Sequence, residues 1–161
     1  REIISRLMKY EHILGTHDLL IHDYGPGRCI ASSHAEVPAD ADLLDVHDMI
    51  DHIEREMKQK HGIDTVIHMD PIVNDQRTME LREKVAALAR EIDPEITIHD
   101  FRMTAGPRHT NLLFDMVVPY AHKKQEAKVK EEMERLVKGM SERYFPVILV
   151  EYSYVEGTRR S

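Results

Sequence analysis

The sequence predicts an α+β protein made of two αββαβ modules, each with an antiparallel sheet that carries its helices on one face. Two observations predict this class. First, helix-type and strand-type apolar patterns follow one another in the same order in both halves of the 161 residues. Second, the turn spacing recurs, because Pro26 precedes Pro38 by twelve residues and Pro107 precedes Pro119 by twelve. This agreement indicates a tandem duplication, with modules at residues 1–74 and 75–157.

The first module opens with a helical pattern at residues 2–11 and continues with a hairpin. The apolar positions of this helix are Ile4, Leu7 and Met8. Residues 16–24 and 29–37 have strand character, and Gly-Pro-Gly-Arg at 25–28 joins them. We therefore expect two antiparallel strands linked by a tight turn.

A second helix and a third strand complete the first module. Asp42 is a candidate N-cap, and Gly62 is a stop signal. The apolar stripe between them consists of Leu43, Val46, Ile50, Ile53 and Met57. Residues 63–72 then have strand character. Pro71 has no N–H to donate, so we expect it to end the hydrogen-bonded ladder.

The second module repeats this order. Its first helix is marked by Leu81, Val85, Leu88 and Ile92, and its second helix by Val129, Met133, Leu136 and Met140. Residues 96–103 and 110–118 are predicted strands on either side of a Gly-Pro turn. A last strand, rich in Val, Ile and Tyr, is predicted at residues 145–155.

Acidic residues and histidines are concentrated in the first half. Residues 1–74 contain fourteen Asp and Glu against seven Lys and Arg, whereas residues 75–161 contain fifteen acidic and fifteen basic residues. Eight of the eleven histidines also lie in the first half. This composition favours a cationic partner and argues against nucleic acid, which binds to stripes of Lys and Arg.

The remaining composition limits the class of protein. The single cysteine, Cys29, excludes an internal disulfide and a cysteine-rich zinc site, and is compatible with a reducing compartment. No stretch approaches the ~20 apolar residues of a membrane helix. The chain starts at Arg1 with neither an initiator methionine nor a signal peptide, so we expect a fragment of a longer protein.

Five side chains of the first module are candidate metal ligands. His68 and Asp70 are two residues apart in a predicted strand and therefore share one face. The others are His17 in the first strand, His34 in the second, and His47 in the helix, on the flank of its apolar stripe and facing the sheet edge. Imidazoles and a carboxylate in sets of three to five suit Zn²⁺, and also Co²⁺, Ni²⁺ or Mn²⁺.

These residues lie in five motifs that resemble the C-terminal cytoplasmic domain of the cation diffusion facilitator transporters. The motifs are Gly15-Thr16-His17-Asp18-Leu19, Gly25-Pro26-Gly27-Arg28, Ser33-His34-Ala35-Glu36-Val37, Val46-His47-Asp48-Met49 and Ile67-His68-Met69-Asp70-Pro71. The match covers about residues 1–73, in order and without large gaps.

The resemblance implies a metallochaperone-like, ferredoxin-like αββαβ domain on the cytoplasmic face of the membrane. Such a domain follows six membrane-spanning helices, forms a homodimer, and binds zinc or a related divalent cation to regulate efflux. By motif, His17, His34 and Asp70 resemble the ligands of one ion. His47 and His68 would serve a second ion, with Asp70 bridging the two.

The second module departs from the usual family domain, which ends near Val73. His34 aligns there with Asp115, and the final strand has Val150-Glu151-Tyr152 where the first module has His68-Met69-Asp70. We therefore expect the second module to be structural or dimer-forming. A weaker metal site stays open at His99, His109 and Asp115.

Two rival functions are considered from the residues alone. Four His-Asp dyads, at 17/18, 22/23, 47/48 and 99/100, invite comparison with metal-dependent phosphohydrolases. Those enzymes use helical scaffolds, whereas three of these dyads lie on predicted strands, so we do not expect an enzyme. The other rival is a free-standing metal carrier or ligand-sensing domain of similar fold. Apolar helices encoded before Arg1 would favour the transporter.

Overall fold

The computed structural model describes residues 5, 8–10, 13–104 and 106–153. The chain divides into two units, Arg1–Ile72 and Val73–Ser161, and the division falls two residues before the boundary predicted at residue 74. Most of the helix predicted at residues 2–11 lies outside the described residues. In the described part of the chain, no helix combines the length and the apolar character needed to cross a membrane.

Three strands and one helix make up the described part of the first unit. They are β1 (Gly15–Asp23), β2 (Cys29–Pro38), α1 (Leu43–His61) and β3 (Ile63–Val73). The predicted turn joins β1 to β2, with φ of 106° at Gly25 and 76° at Gly27. The Asp42 side chain accepts a hydrogen bond from the Asp45 N–H at the start of α1, and Gly62 ends the helix with φ of 65°.

The central strand of the first unit, β2, has neighbours of opposite direction. It pairs antiparallel with β1 and parallel with β3. The α+β class is confirmed, but the prediction of an antiparallel sheet is wrong for the second pair. The reason is the connection through α1, because a helical crossover returns the chain to the same end of the sheet. The pairing also continues through Pro71 and Ile72, so Pro71 does not end the ladder.

One face of this sheet packs against α1. The buried residues of α1 are Val46, Ile50, Ile53 and Met57, as the apolar stripe predicts, whereas Leu43 is 64% exposed. They share a core with Ala31, Ala35 and Val37 of β2. Because side chains alternate along a strand, His34 and Glu36 point to the opposite face. That face carries the candidate site.

The second unit repeats the topology with its own core. Its elements are α2 (Gln76–Ile92), β4 (Thr97–Thr104), β5 (Thr110–Pro119), a short 3-10 helix (Tyr120–Gln125), α3 (Glu126–Met140) and β6 (Tyr144–Ser153). The central strand β5 pairs antiparallel with β4 and parallel with β6. Phe114 of β5 and Met133 of α3 are fully buried in its core. Residues 154–155 of the predicted last strand lie outside the described residues.

The same irregularity interrupts the first strand of each unit. Asp18 in β1 and Asp100 in β4 have φ of 52° and 50°, values that few residues other than glycine adopt. The register shifts at both positions, between His17 and Leu20 and between His99 and Arg102, as in a β-bulge. Its recurrence at corresponding positions supports the predicted duplication of one module.

Candidate metal centre

Two rows of residues cross the sheet face that is turned away from α1. One row consists of His17, His34 and His68, and the next of Gly15, Glu36 and Asp70. Residues directly opposite on neighbouring strands have Cβ atoms about 5 Å apart. The strand register therefore brings four of the five predicted ligands to one place.

Asp70 joins the two rows. Its Oδ2 atom lies 3.0 Å from His17 Nε2 and 3.1 Å from His34 Nδ1. One ligand atom from each of the three residues lies within 4.8 Å of the other two. In a tetrahedral site with metal bonds of ~2.0 Å, ligand atoms are about 3.3 Å apart. The donor types and their separations thus fit a zinc-like ion after small adjustments.

The imidazole rings follow one another along their row. The centroids of His17 and His34 are 4.7 Å apart with planes inclined by 23°, and those of His34 and His68 are 5.1 Å apart with planes inclined by 33°. The side chains of His17 and Asp70 are each 14% exposed, that of His34 is 35% exposed, and His68 is exposed. The cluster is therefore shielded at His17 and open towards solvent at His68.

Glu36 is a part of this site that the sequence analysis missed. It is 2% exposed, and its Oε2 atom lies 3.3 Å from His17 Nδ1. Its position two residues after His34 in a strand already indicates a shared face, and this spacing was the available signal. The spacing does not reveal that Glu36 pairs across the strands with Gly15, which lies two residues before His17 in β1.

The charges in the cluster shift two pKa values in opposite directions. Burial lowers the pKa of His17, but hydrogen bonds to Asp70 and Glu36 and attraction to both carboxylates outweigh it, and the pKa is raised to about 9. Burial raises the pKa of Asp70, but the hydrogen bond from His17 and the charges of both histidines outweigh that effect and lower it. At neutral pH the protonated His17 ring therefore faces both carboxylates, with Nδ1 3.3 Å from Glu36 and Nε2 3.0 Å from Asp70.

His47 lies away from this cluster. It is exposed on α1 beside the buried Val46, and α1 covers the face of the sheet opposite to the cluster. The sheet thus lies between His47 and His68 of one chain. The position at the sheet edge predicted for His47 does not match this arrangement, and the predicted pairing of these two histidines on a second ion finds no support within one chain.

The second unit has a different set of residues at the corresponding positions. The register pairs His99 with Asp115, Asp115 with Leu149, and Val117 with Glu151. Leu149 therefore corresponds to His68 and Glu151 to Asp70, so the alignment made from sequence was one residue out of step in the last strand. In the second unit, the row that corresponds to His17, His34 and His68 consists of His99, Asp115 and Leu149.

The described residues of the second unit contain no group of three ligands as close as the cluster in the first. His99 Nε2 lies 3.0 Å from Thr97 Oγ1, within its own strand, and His109 stacks on Phe145 with centroids 5.2 Å apart. Burial, the hydrogen bond with Asp100 and the nearby negative charges raise the pKa of Asp115. These contacts suit a site that has lost its metal ligands.

Comparison with known proteins gives a match over the first unit. Residues 1–72 match the family model of the cation efflux protein, cytoplasmic domain. Two solved structures of CzrB, studied as a zinc transporter, are similar to the chain. One is 29% identical over 44% of this chain and 88% of its own, with a TM-score of 0.40; the zinc form is 27% identical over 44% and 81%, with a TM-score of 0.40. No curated protein matches.

The family match has the same extent as the unit that carries the cluster. It ends at residue 72, where the first unit ends, and leaves the second unit outside. The description of this family names a domain of an efflux protein. The first unit of this chain, residues 1–72, is thus similar to the cytoplasmic domains of cation efflux proteins.

Proposed function

We propose that the first unit binds a divalent transition-metal ion and thereby regulates a cation efflux transporter to which it is attached. The observation that carries the proposal is the convergence of ligand atoms from His17, His34 and Asp70 within 4.8 Å. The match of residues 1–72 to the model of the cation efflux protein, cytoplasmic domain, supports the transporter context. The rest of that protein, including a membrane domain, would precede this domain in the chain.

The donor set defines the class of ion. His17 Nε2, His34 Nδ1 and an Asp70 oxygen would hold it, and His68, whose ring lies beside His34, is the candidate fourth ligand. Two or three imidazoles with one carboxylate suit Zn²⁺, and also Co²⁺, Ni²⁺ or Mn²⁺. The ion supplies fixed positive charge between the carboxylates at the place where the metal-free protein keeps a proton on His17.

We also propose that two copies of the chain pair through the face that bears the cluster. The row after the three histidines consists of Leu20, Ser32 and Val66, and Leu20 and Val66 are 55% and 49% exposed. Exposed apolar side chains beside a charged cluster are typical of an interaction surface. The excess of seven negative charges in residues 1–74 opposes pairing until an ion reduces it.

Zinc titration calorimetry with matched histidine variants tests the site. We expect about one Zn²⁺ per chain in the wild type and loss of this binding in His34→Ala, because the cluster loses one of its three ligands. His22→Ala is the control, since His22 lies exposed on β1 with its ring next to Tyr24, at 6.3 Å, rather than in the cluster. Full stoichiometry and affinity in His34→Ala would overturn the site.

A further inference from the structure

We propose that Glu36 is a positioning residue that decides which nitrogen of His17 faces the metal ion. Glu36 accepts a hydrogen bond from His17 Nδ1–H, and the other ring nitrogen, Nε2, is thereby left to bind the ion beside Asp70. This role rests on the proposed metal site and adds to it a residue that is not itself a ligand.

The geometry around His17 fixes both ends of the ring. Nδ1 lies 3.3 Å from Glu36 Oε2, and Nε2 lies 3.0 Å from Asp70 Oδ2. A neutral imidazole carries one proton. With an ion bound by Nε2 and Asp70, Glu36 is the acceptor that remains for this proton, on Nδ1. Because Glu36 is 2% exposed, water does not replace it as the acceptor.

Gly15 provides the space that the Glu36 carboxylate occupies. A Cβ atom added at Gly15 would lie 3.0 Å from Glu36 Oε2, a contact closer than nine in ten observed ones, so the carboxylate would have to shift by a few tenths of an ångström. Gly15 and Glu36 are direct partners across β1 and β2. A side chain at position 15 would therefore displace the very oxygen that faces His17.

The second unit shows the same positions without this arrangement. Thr97 and Val117 are direct partners there and correspond to Gly15 and Glu36. His99 Nε2 lies 3.0 Å from the Thr97 hydroxyl instead of facing a carboxylate. The carboxylate, the glycine that makes room for it and the close ligand cluster are thus present together in one unit and absent together from the described part of the other.

A carboxylate that accepts a hydrogen bond from the ring nitrogen not bound to the metal orients a metal-binding histidine. Loss of such a carboxylate typically weakens metal binding by 10–100-fold. The comparison of Glu36→Gln with Glu36→Val isolates the effect, because both variants remove the charge but only glutamine keeps an acceptor oxygen. We expect zinc affinity to fall 10–100-fold further in Glu36→Val than in Glu36→Gln. Valine is also the residue that the second unit has at this position.

Long-range ¹H–¹⁵N spectra of the zinc-loaded chain report the ring directly. We expect the His17 proton on Nδ1 in the wild type and in Glu36→Gln, and a changed pattern in Glu36→Val; His17→Asn identifies the signals. Gly15→Ala tests the role without removing Glu36, and we expect severalfold weaker zinc binding than in Gly139→Ala, whose Cβ has no neighbour within 4 Å.

The outcomes separate the two proposals. A wild-type chain that binds no zinc overturns the metal site itself. Zinc binding that is equal in Glu36→Gln and Glu36→Val, with the His17 proton on Nδ1 in both, overturns the positioning role alone. If Glu36→Val does not fold, unchanged affinity and an unchanged spectrum in Gly15→Ala overturn it in the same way.

Discussion

Asp70 Oδ2 lies 3.0 Å from His17 Nε2, although their strands, β3 and β1, are not neighbours. The contact passes over the central strand β2, because His17 is paired with His34 and Asp70 is paired with Glu36 in the adjacent row. It therefore connects the two strands that flank β2. The hydrogen bond with Asp70 also makes the largest contribution that raises the pKa of His17 against the effect of burial.

Replacement of Asp70 should lower the pKa of His17. In Asp70→Asn we expect this pKa to fall from about 9 towards its ordinary value of ~6.5, because the charged hydrogen-bond partner and its negative charge are lost while burial remains. An NMR titration of the His17 ring in the metal-free chain measures the change. Asp64→Asn is the matched control, since Asp64 also lies on β3 but pairs with Lys58 at 2.8 Å. An unchanged His17 pKa in Asp70→Asn would contradict the contact.

Zinc binding should release a proton at neutral pH. The pKa of His17 is raised to about 9, so the ring is protonated at pH 7 and the ion must displace that proton. We expect the zinc affinity to rise as the pH increases towards about 9 and to level off above it, since the competing proton is then gone. Calorimetry in buffers of different ionisation enthalpy counts the protons. Binding at pH 7 without proton release would show that His17 is not a ligand.

Periodicity and turn residues predicted the helices α1, α2 and α3 and the six strands, but not the 3-10 helix at Tyr120–Gln125, and they do not contain strand pairing. The stripe at Val46, Ile50, Ile53 and Met57 is buried as predicted, because one helix packs on one sheet face. The parallel pairing of β2 with β3, by contrast, depends on where α1 returns the chain. The same limit explains why Leu149, and not Val150, corresponds to His68: only the register defines that position.

The candidate site was predictable to the extent that spacing within a strand determines a shared face. His68 and Asp70 follow that rule, and His34 joins them through the register. His47 lies outside the cluster because the flank of a helix does not specify which sheet face the helix covers, and its part in binding a second ion stays a prediction. Glu36 was missed because its role depends on the space left by Gly15, a residue on another strand.

Triple replacement in the second unit should leave zinc stoichiometry unchanged. The change is His99, His109 and Asp115 to alanine, and the reason is that no close ligand group exists among the described residues of that unit. Calorimetry against the wild type measures it, with the triple change His17, His34 and Asp70 to alanine as the positive control. The loss of one ion per chain in the second-unit variant would reveal a second working site.

Zinc should change how copies of the chain pair. Two faces that each carry Glu36, Asp70 and part of the seven excess negative charges repel one another. At neutral pH, each divalent ion that replaces the proton on His17 adds one net positive charge where the faces would meet. Two paired domains can be arranged in an open or a closed way. To convert almost all pairs from the open to the closed arrangement, the ion must favour the closed one by ~5 kcal/mol. A membrane domain attached before Arg1 would respond to that shift, in the manner of other ligand-driven switches.

Small-angle scattering with and without saturating Zn²⁺ measures this change through the radius of gyration and the molecular mass. We expect a more compact particle or a larger paired fraction with zinc. Leu20→Glu is the control that separates zinc binding from pairing. Leu20 lies one row beyond the histidines and is 55% exposed. A carboxylate at this position should oppose pairing while zinc still binds. If both quantities stay the same at saturating zinc in the wild type, the ion has no part in assembly and serves as a store or as a structural element of the sheet.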